Sequence, residues 1–438
     1  MGISNIIFLL ILIAGIFLFM KRVREIRSNI LLGKDKEIND RKGERWSIMA
    51  RVAMGQSKMV QRPVAGMLHI VVYVGFVLIN IEVLEIVIDG IFGTHRVMAF
   101  MGSFYDFLIG FIEILALLVL VACVIFLIRR NAMSIKRFKM PEMTSWPKLD
   151  ANIILIAEIL LMGALLKMNA ADQVLQERSV YPVAGSFPVS SALVGVMSMF
   201  DTATVTFFER ALWWFHILGI LTFLNYVPYS KHFHIILAFP NVWYSNLEAK
   251  GGFDNMASVK KEVELMMNPA ADPYASPASG AEEEHSTFGA KDVTDLSWKN
   301  ILDAYTCTEC GRCSSVCPAN ITGKMLSPRK IMMDTRDRAE ELGAYKRKNG
   351  ADSHDGSSLI HTFITEEELW ACTTCNACVD ACPVLIDPLE IIMDLRRNLI
   401  MEESKSPESI TNMFNNIENN GAPWAFPAAD RDKWITES

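Results

Sequence analysis

Before residue 240 the chain is broken into apolar runs that leave little choice of fold. The first reads ISNIIFLLILIAGIFLFM over residues 3–20, and others lie at about 64–88, 104–128, 151–168 and 206–227. At about 1.5 Å per residue, the first is just long enough as a helix to cross the hydrocarbon core of a bilayer, and the others read as spans too. No water reaches that core to satisfy a peptide group, so such segments cross as helices whose hydrogen bonds close internally. A five-helix bundle over residues 1–240 is therefore expected. A secretory leader is the rival reading of the first run, but a leader carries its positive charge ahead of the apolar stretch. Here Lys21, Arg22, Arg24 and Arg27 follow it, which fits a retained helix.

The connecting segments alternate in charge. Residues 21–63 are rich in Lys and Arg, 129–139 carry Arg129, Arg130, Lys136, Arg137 and Lys139, and Lys231 follows the fifth run. The segments 89–103 and 169–205 hold one arginine each, Arg96 and Arg178. The positive-inside rule then puts the N-terminus outside and everything after residue 228 in the cytoplasm, as in a multi-pass protein of the bacterial inner (cytoplasmic) membrane. A net charge of −7, with no Lys/Arg stripe interleaved with aromatics, argues against a nucleic-acid partner.

Beyond the bundle, residues 241–297 read as a cytoplasmic helix and a flexible linker, the stretch NPAADPYASPASGAEEEHSTFGA from Asn268 holding little to bury. Eight of the nine cysteines follow. Residues 307–318 are CTECGRCSSVCP and residues 372–383 are CTTCNACVDACP, two C-x2-C-x2-C-x3-C-P runs offset by 65 positions throughout. Three cysteines at two-residue gaps let a tight loop wrap one iron–sulfur cube, and the proline turns the chain away. In such runs the fourth cysteine serves the other cluster. Cys307, Cys310, Cys313 and Cys382 are thus expected on one 4Fe-4S cluster, and Cys317, Cys372, Cys375 and Cys378 on a second. Zinc prefers two separated C-x2-C pairs, and a reducing cytoplasm disfavours disulfides.

Cys123, alone in the third run, reads as a buried apolar residue. Ser327-Pro328 and Asp387-Pro388 look like starts of helices that close a cluster domain over residues 298–402. In the tail, 403–438, Ile410, Met413, Phe414 and Ile417 share one helical face, suited to the chain's own domain or to a partner.

Ionisable groups in lipid usually have work to do. His216 lies in the fifth run, with His232 and His234 past its end and His69 near the start of the second. If the helix continued, His216 and His234 would share one side roughly 27 Å apart, with His232 pointing elsewhere. Two neutral imidazoles from neighbouring helices suit the axial positions of a haem, but the spacing alone leaves open that these rings face headgroups or bond neighbouring helices. Glu82, Glu85, Glu113 and Glu158 read equally as proton or quinone contacts and as structural pairs, Lys167 as a residue that snorkels; none is assigned, and no catalytic residue is identified.

The stretch from His216 through PYSKHFH to His234 resembles the last helix of the cytochrome b subunit of respiratory nitrate reductase, shared by membrane subunits of heterodisulfide-reductase-like complexes. The resemblance implies haem b with His69 and His234 as axial ligands, and His216 as one ligand of a second haem. That second site departs from the family, whose further histidine falls at Ile79; His95, in GIFGTHRVM, is the unassigned histidine on that side. LDAYTCTECGRC and ELWACTTCNACVDACPV are similar to the small iron–sulfur protein of heterodisulfide reductases and to iron–sulfur oxidoreductases that join a haem b membrane domain to such a module. The implied fold is mainly α: a transmembrane bundle followed by an α-helical ferredoxin-like domain with two 4Fe-4S clusters.

Many of those proteins carry a CCG domain. This sequence has no adjacent Cys-Cys pair, which implies that this part is absent or, as the expected partner, on a separate CCG-domain polypeptide. No strand followed by G-x-G-x-x-G marks a hydride carrier. The expected function is an electron-transfer subunit of a quinone-linked oxidoreductase, between a CCG-type partner or electron-transfer flavoprotein and menaquinone. The alternatives are a quinol-oxidising subunit serving a heterodisulfide or sulfur-type substrate, and a non-conducting membrane anchor or redox sensor.

Overall fold

The computed structural model describes residues 2–268 and 287–436, so most of the expected linker, 269–286, lies outside the described residues. Five helices are long and apolar enough to cross a membrane: Ile3–Ile30 (α1), Pro63–Phe92 (α2), Ser103–Asn131 (α3), Trp146–Glu177 (α4) and Thr202–Tyr226 (α5). Their boundaries follow local chemistry. Pro63 starts α2 where its missing N–H costs nothing, Gly93 at φ 74° ends it, and the Asp201 carboxylate accepts the Thr204 amide at the head of α5.

Phe8, Ile79, Ile112, Leu115, Val119, Leu165 and Ile217 fill the bundle core, while apolar side chains such as Leu10, Phe17, Val77 and Phe107 point outward, as suits a protein dissolved in lipid. Two glycines set the spacing. A Cβ at Gly75 would lie 2.3 Å from a Val119 methyl, and one at Gly90 would lie 2.6 Å from the Phe8 ring.

The helix expected to run from α5 to His234 is not continuous. It stops at Tyr226, 3₁₀ turns occupy Val227–Tyr229 and Lys231–Phe233 with Ser230 extended between them, and a new helix, His234–Trp243 (α6), follows. Pro228, lacking an N–H, sits in this break. The side on which His234 lies is therefore set by tertiary packing and not by helical phase with His216.

In the cysteine half, Trp298–Thr306 (α7), Pro328–Asn349 (α8) and Pro388–Met401 (α9) pack around Ile301, Ile331, Leu342, Ile391 and Leu395, all fully buried. Ser327 accepts the Lys330 amide and Asp387 those of Leu389 and Glu390, so both prolines occupy first turns. Ala290, Val293 and Leu296 already belong to this core, and so do Ile26, Val227 and Phe233 from the membrane half. The two halves share one hydrophobic cluster, α1 continuing past its apolar run to place Ile26 and Asn29 against the cysteine domain. Tail helix Glu408–Asn420 (α10) buries none of its residues. Among the described residues there is no strand, only the isolated bridges Lys34–Ser297 and Ile360–Ile364. The fold is mainly helical, with a five-helix membrane bundle ahead of an α-helical cysteine domain.

Candidate metal centres

The two cysteine runs fold alike. Glu309 and Gly311 have φ values of 52° and 68°, and their counterparts Thr374 and Asn376 have 56° and 59°. Left-handed residues curl the chain so that amides face sulfur: Thr374 N–H donates to Cys372 Sγ at 3.4 Å, and past the run, after Leu385 at φ 57°, Ile386 N–H donates to Cys382 Sγ at 3.3 Å. At Gly311 the space favours glycine, since a Cβ would lie 2.5 Å from Arg329 Nη1, whose guanidinium is held by Glu142 and the Arg137 carbonyl; its counterpart Asn376 adopts the same conformation with a side chain.

Two cavities result. One is lined by Cys307, Cys310, Cys313 and Cys382, the other by Cys317, Cys372 and Cys375, with Cys378 touching both. The structure thus brings Cys382 to the first run and Cys317 to the second, the crossed arrangement. Among the described residues no three His, Cys, Asp or Glu side chains converge on a single-ion position. The sulfurs instead stand around a space, and a four-thiol donor set around a small cavity suits a cube of iron and sulfide better than one zinc ion. Burial pushes the Cys307 and Cys382 thiols up to about 12, so these sulfurs hold a negative charge only when a bound cation shares it.

The surroundings of the cavities differ. Around the first, Arg329 is fully buried, bonded to Glu142 at 2.7 Å and to the Arg137 carbonyl at 2.8 Å, and Arg312 donates to the Lys58 carbonyl at 2.8 Å, just ahead of α2. Glu309 is paired with Lys231 and with Arg336, the latter at 2.9 Å; together they outweigh the cost of burial and hold its carboxyl below the usual range. The second cavity includes the exposed Cys375, and its nearby cation, Arg396, donates to the Cys372 carbonyl at 2.6 Å and stacks on Trp370.

Lys231 leads to the histidines. The rings of His69 and His234 lie 6.5 Å apart, centre to centre. Two imidazoles bonded at ~2 Å to opposite sides of one ion have centres roughly 6 Å apart. His234 Nδ1 bonds the Lys231 carbonyl at 2.9 Å, which makes that nitrogen the donor and leaves Nε2 with a free lone pair. His69 Nδ1 is buried without a partner. These residues fit an axial pair. His232, expected to point elsewhere, joins them: its ring is 5.7 Å from His234, its buried Nε2 is unpartnered, and burial pushes its pKa down to about 3. The Pro228 break held the only signal for this, because without helical phase an H-x-H pair can turn both rings to one place.

His216 and His95 are not brought together. His216 Nδ1 bonds the Leu161 carbonyl at 3.1 Å, whereas His95 Nε2 contacts Asp172 at 3.3 Å and stacks on Tyr181. Leu161 and Asp172 are about 16 Å apart along α4 at helical rise, so an axial pair of His216 and His95 finds no support. His95 belongs to a polar network at the far end of the bundle. There Arg96 bonds Asp172 at 2.6 Å and Asn169 at 2.9 Å, Tyr105 bonds Glu85 at 2.8 Å, and Asn169 bonds Glu113 at 3.1 Å.

Comparison with known proteins accords with this geometry. Residues 306–386 match the family described as a 4Fe-4S dicluster domain. The chain is 28% identical to a probable iron-sulfur-binding oxidoreductase, FadF, of Bacillus subtilis, over 99% of this chain and 61% of that protein. It is 26% identical to the EtfAB:quinone oxidoreductase of Syntrophomonas wolfei, over 91% of this chain and 55% of that one. Over 24% of this chain it is 32% identical to one component of the ferredoxin:CoB-CoM heterodisulfide reductase of Methanosarcina mazei, covering 53% of that polypeptide. No solved structure matches. The chain spans little more than half the length of these relatives. Fold, cysteine cavities and dicluster match define a membrane-anchored iron–sulfur protein. It is related to iron–sulfur oxidoreductases of the heterodisulfide reductase and EtfAB:quinone oxidoreductase type.

Proposed function

We propose that this chain relays electrons between a soluble one-electron partner and menaquinone, using two 4Fe-4S clusters and one haem b. The observation that carries the reading is the order of the sites: the cavity with exposed Cys375, the cavity lined by Cys310 and the buried Arg312 and Arg329, then the His69–His234 pair beyond the Lys231–Glu309 contact. The bound groups would supply single-electron storage, and the chain supplies their placement. Cys307, Cys310, Cys313 and Cys382 hold the inner cluster; Cys317, Cys372, Cys375 and Cys378 hold the outer one. Because each run lends its fourth cysteine to the other, the two sites are locked at one short separation. Lys231 ties the loop carrying His234 to Glu309 in the inner loop, so the histidine end of the bundle and that cavity are held as one unit.

The name of the Syntrophomonas relative favours electron-transfer flavoprotein as donor and a quinone as acceptor, with the remaining catalytic part, of CCG type, outside this sequence. A second reading has its own support: likeness to a heterodisulfide reductase component favours the reverse flow, from quinol to a heterodisulfide or sulfur-type acceptor. The test is to purify the chain in detergent and measure iron, sulfide and the haem spectrum. About eight non-haem irons with a b-type spectrum are expected, with haem reduction through the clusters lost in Cys378→Ala. Absence of iron or haem overturns the wiring, and haem reduction unchanged in Cys378→Ala would point to an anchor or sensor.

A further inference from the structure

The two cysteine loops share a backbone and differ in charge. Beside the inner cavity, Arg312 is 5% exposed and lines the wall, and the Cβ of Arg137 lies 3.4 Å from where a Gly311 side chain would begin. Arg312 lines this cavity together with Cys310, Cys313 and Cys382. Among the described residues neither Arg312 nor Arg137 has a carboxylate within ion-pair distance, in contrast to Arg329 with Glu142. The acid nearest this loop, Glu309, is offset by Lys231 and Arg336. The outer cavity has one such guanidinium, Arg396, which donates to the Cys372 carbonyl and likewise has no carboxylate within ion-pair distance among the described residues.

We infer that Arg137 and Arg312 are tuning residues that make the inner four-cysteine site the stronger electron acceptor, so that an electron entering at Cys375 settles next to the histidines. The inference rests on both sites carrying 4Fe-4S clusters. In the step, the outer site loses one electron and is oxidised, the inner site gains it and is reduced, and no proton or atom moves. The one-electron donor then refills the outer site. Reduction adds one negative charge, and fixed cations in a buried setting favour the reduced form more than the same cations do in water. Solvent at Cys375 acts in the opposite direction, stabilising the reduced outer site. It acts chiefly at Cys375, whereas the inner loop has two guanidinium groups against it, the buried Arg312 and the half-buried Arg137, where the outer loop has the single Arg396.

The experiment is a redox titration of the full chain in detergent, followed by electron paramagnetic resonance, in the wild type and in Arg137→Gln, Arg312→Gln, the double variant and Arg312→Lys. Cys310→Ser assigns the inner signal, and iron content confirms that each variant is loaded. The inner site should titrate at the higher potential. The double variant should lower it by at least a tenfold change in electron sharing, about 59 mV for one electron, leaving the outer site in place; Arg312→Lys should retain most of the wild-type value. Unmoved potentials, an outer site that titrates higher in the wild type, or a lysine variant shifted as far as the glutamine one would each overturn the tuning. A wild type without two cluster signals would overturn the proposed function itself.

Discussion

The two ends of the membrane bundle bury polar groups in opposite ways. At the end facing the cysteine domain, His69 Nδ1 and His232 Nε2 are buried with no partner, and His234 keeps a ring nitrogen free. At the far end Arg96 is joined to Asp172, Asn169 and Tyr105, Glu113 accepts from Asn169 and Ser190, and His95 leans on Asp172. An unpaired polar atom in a dry interior is costly, so it persists where a bound group repays the cost; a saturated network needs nothing from outside. The near end therefore reads as a site and the far end chiefly as structure, although Glu82 Oε2 and Gln173 Oε1 are buried there without a partner.

The comparison breaks most sharply if the histidines are exchanged. His234→Ala should abolish the b-type spectrum while leaving the cluster iron intact; a retained spectrum would move the haem elsewhere. Arg96→Ala should leave the spectrum of the surviving protein unchanged but cost about 3–5 kcal/mol, because Asp172 is then buried without its cation; this is read by denaturation in detergent. A haem lost with Arg96 would show that the far end is also a site.

An ion network outside the membrane sharpens the contrast. In the cysteine domain Arg338 holds Asp355 down to about 2, against an ordinary value near 3.8. Its contribution is full above the unfolded value and is lost as pH falls from about 4 towards 2. The resulting loss of roughly 1–2 kcal/mol, measured by denaturation at pH 5 and pH 3, should be absent in Asp355→Asn. The smallest effect belongs to His95→Gln, below about 1 kcal/mol and without change in the haem spectrum.

Much of this was legible in the sequence for local reasons. Apolar length marked the five spans, and twin spacing with a proline after each fourth cysteine marked two like loops, with Cys382 lining the first cavity and Cys317 the second. Ser327 and Asp387 announced the helices they cap. What escaped depended on distant packing. The helix phase relating His216 to His234 failed once the chain broke at Pro228, and that break also gathered His232. Nothing local shows that α1 leaves lipid to be buried under the cysteine domain, since Arg22 and Asn29 look like ordinary boundary residues until Glu340 and Tyr305 receive them. The unpaired state of Arg137 and Arg312 is likewise a property of their neighbours.

That course of α1 bears on biogenesis. Asn29 bonds Tyr305 at 2.8 Å and also Arg347, partners 276 and 318 positions along the chain. Helix α1 can enter the bilayer as soon as it is made, yet the end that meets the cysteine domain stays unfinished until Tyr305 and Arg347 have been made and that domain has folded. Failure to load iron would then be felt far from the cysteines in sequence, as an exposed Ile26 and an untethered α1, giving quality control a surface by which to detect a missing cluster.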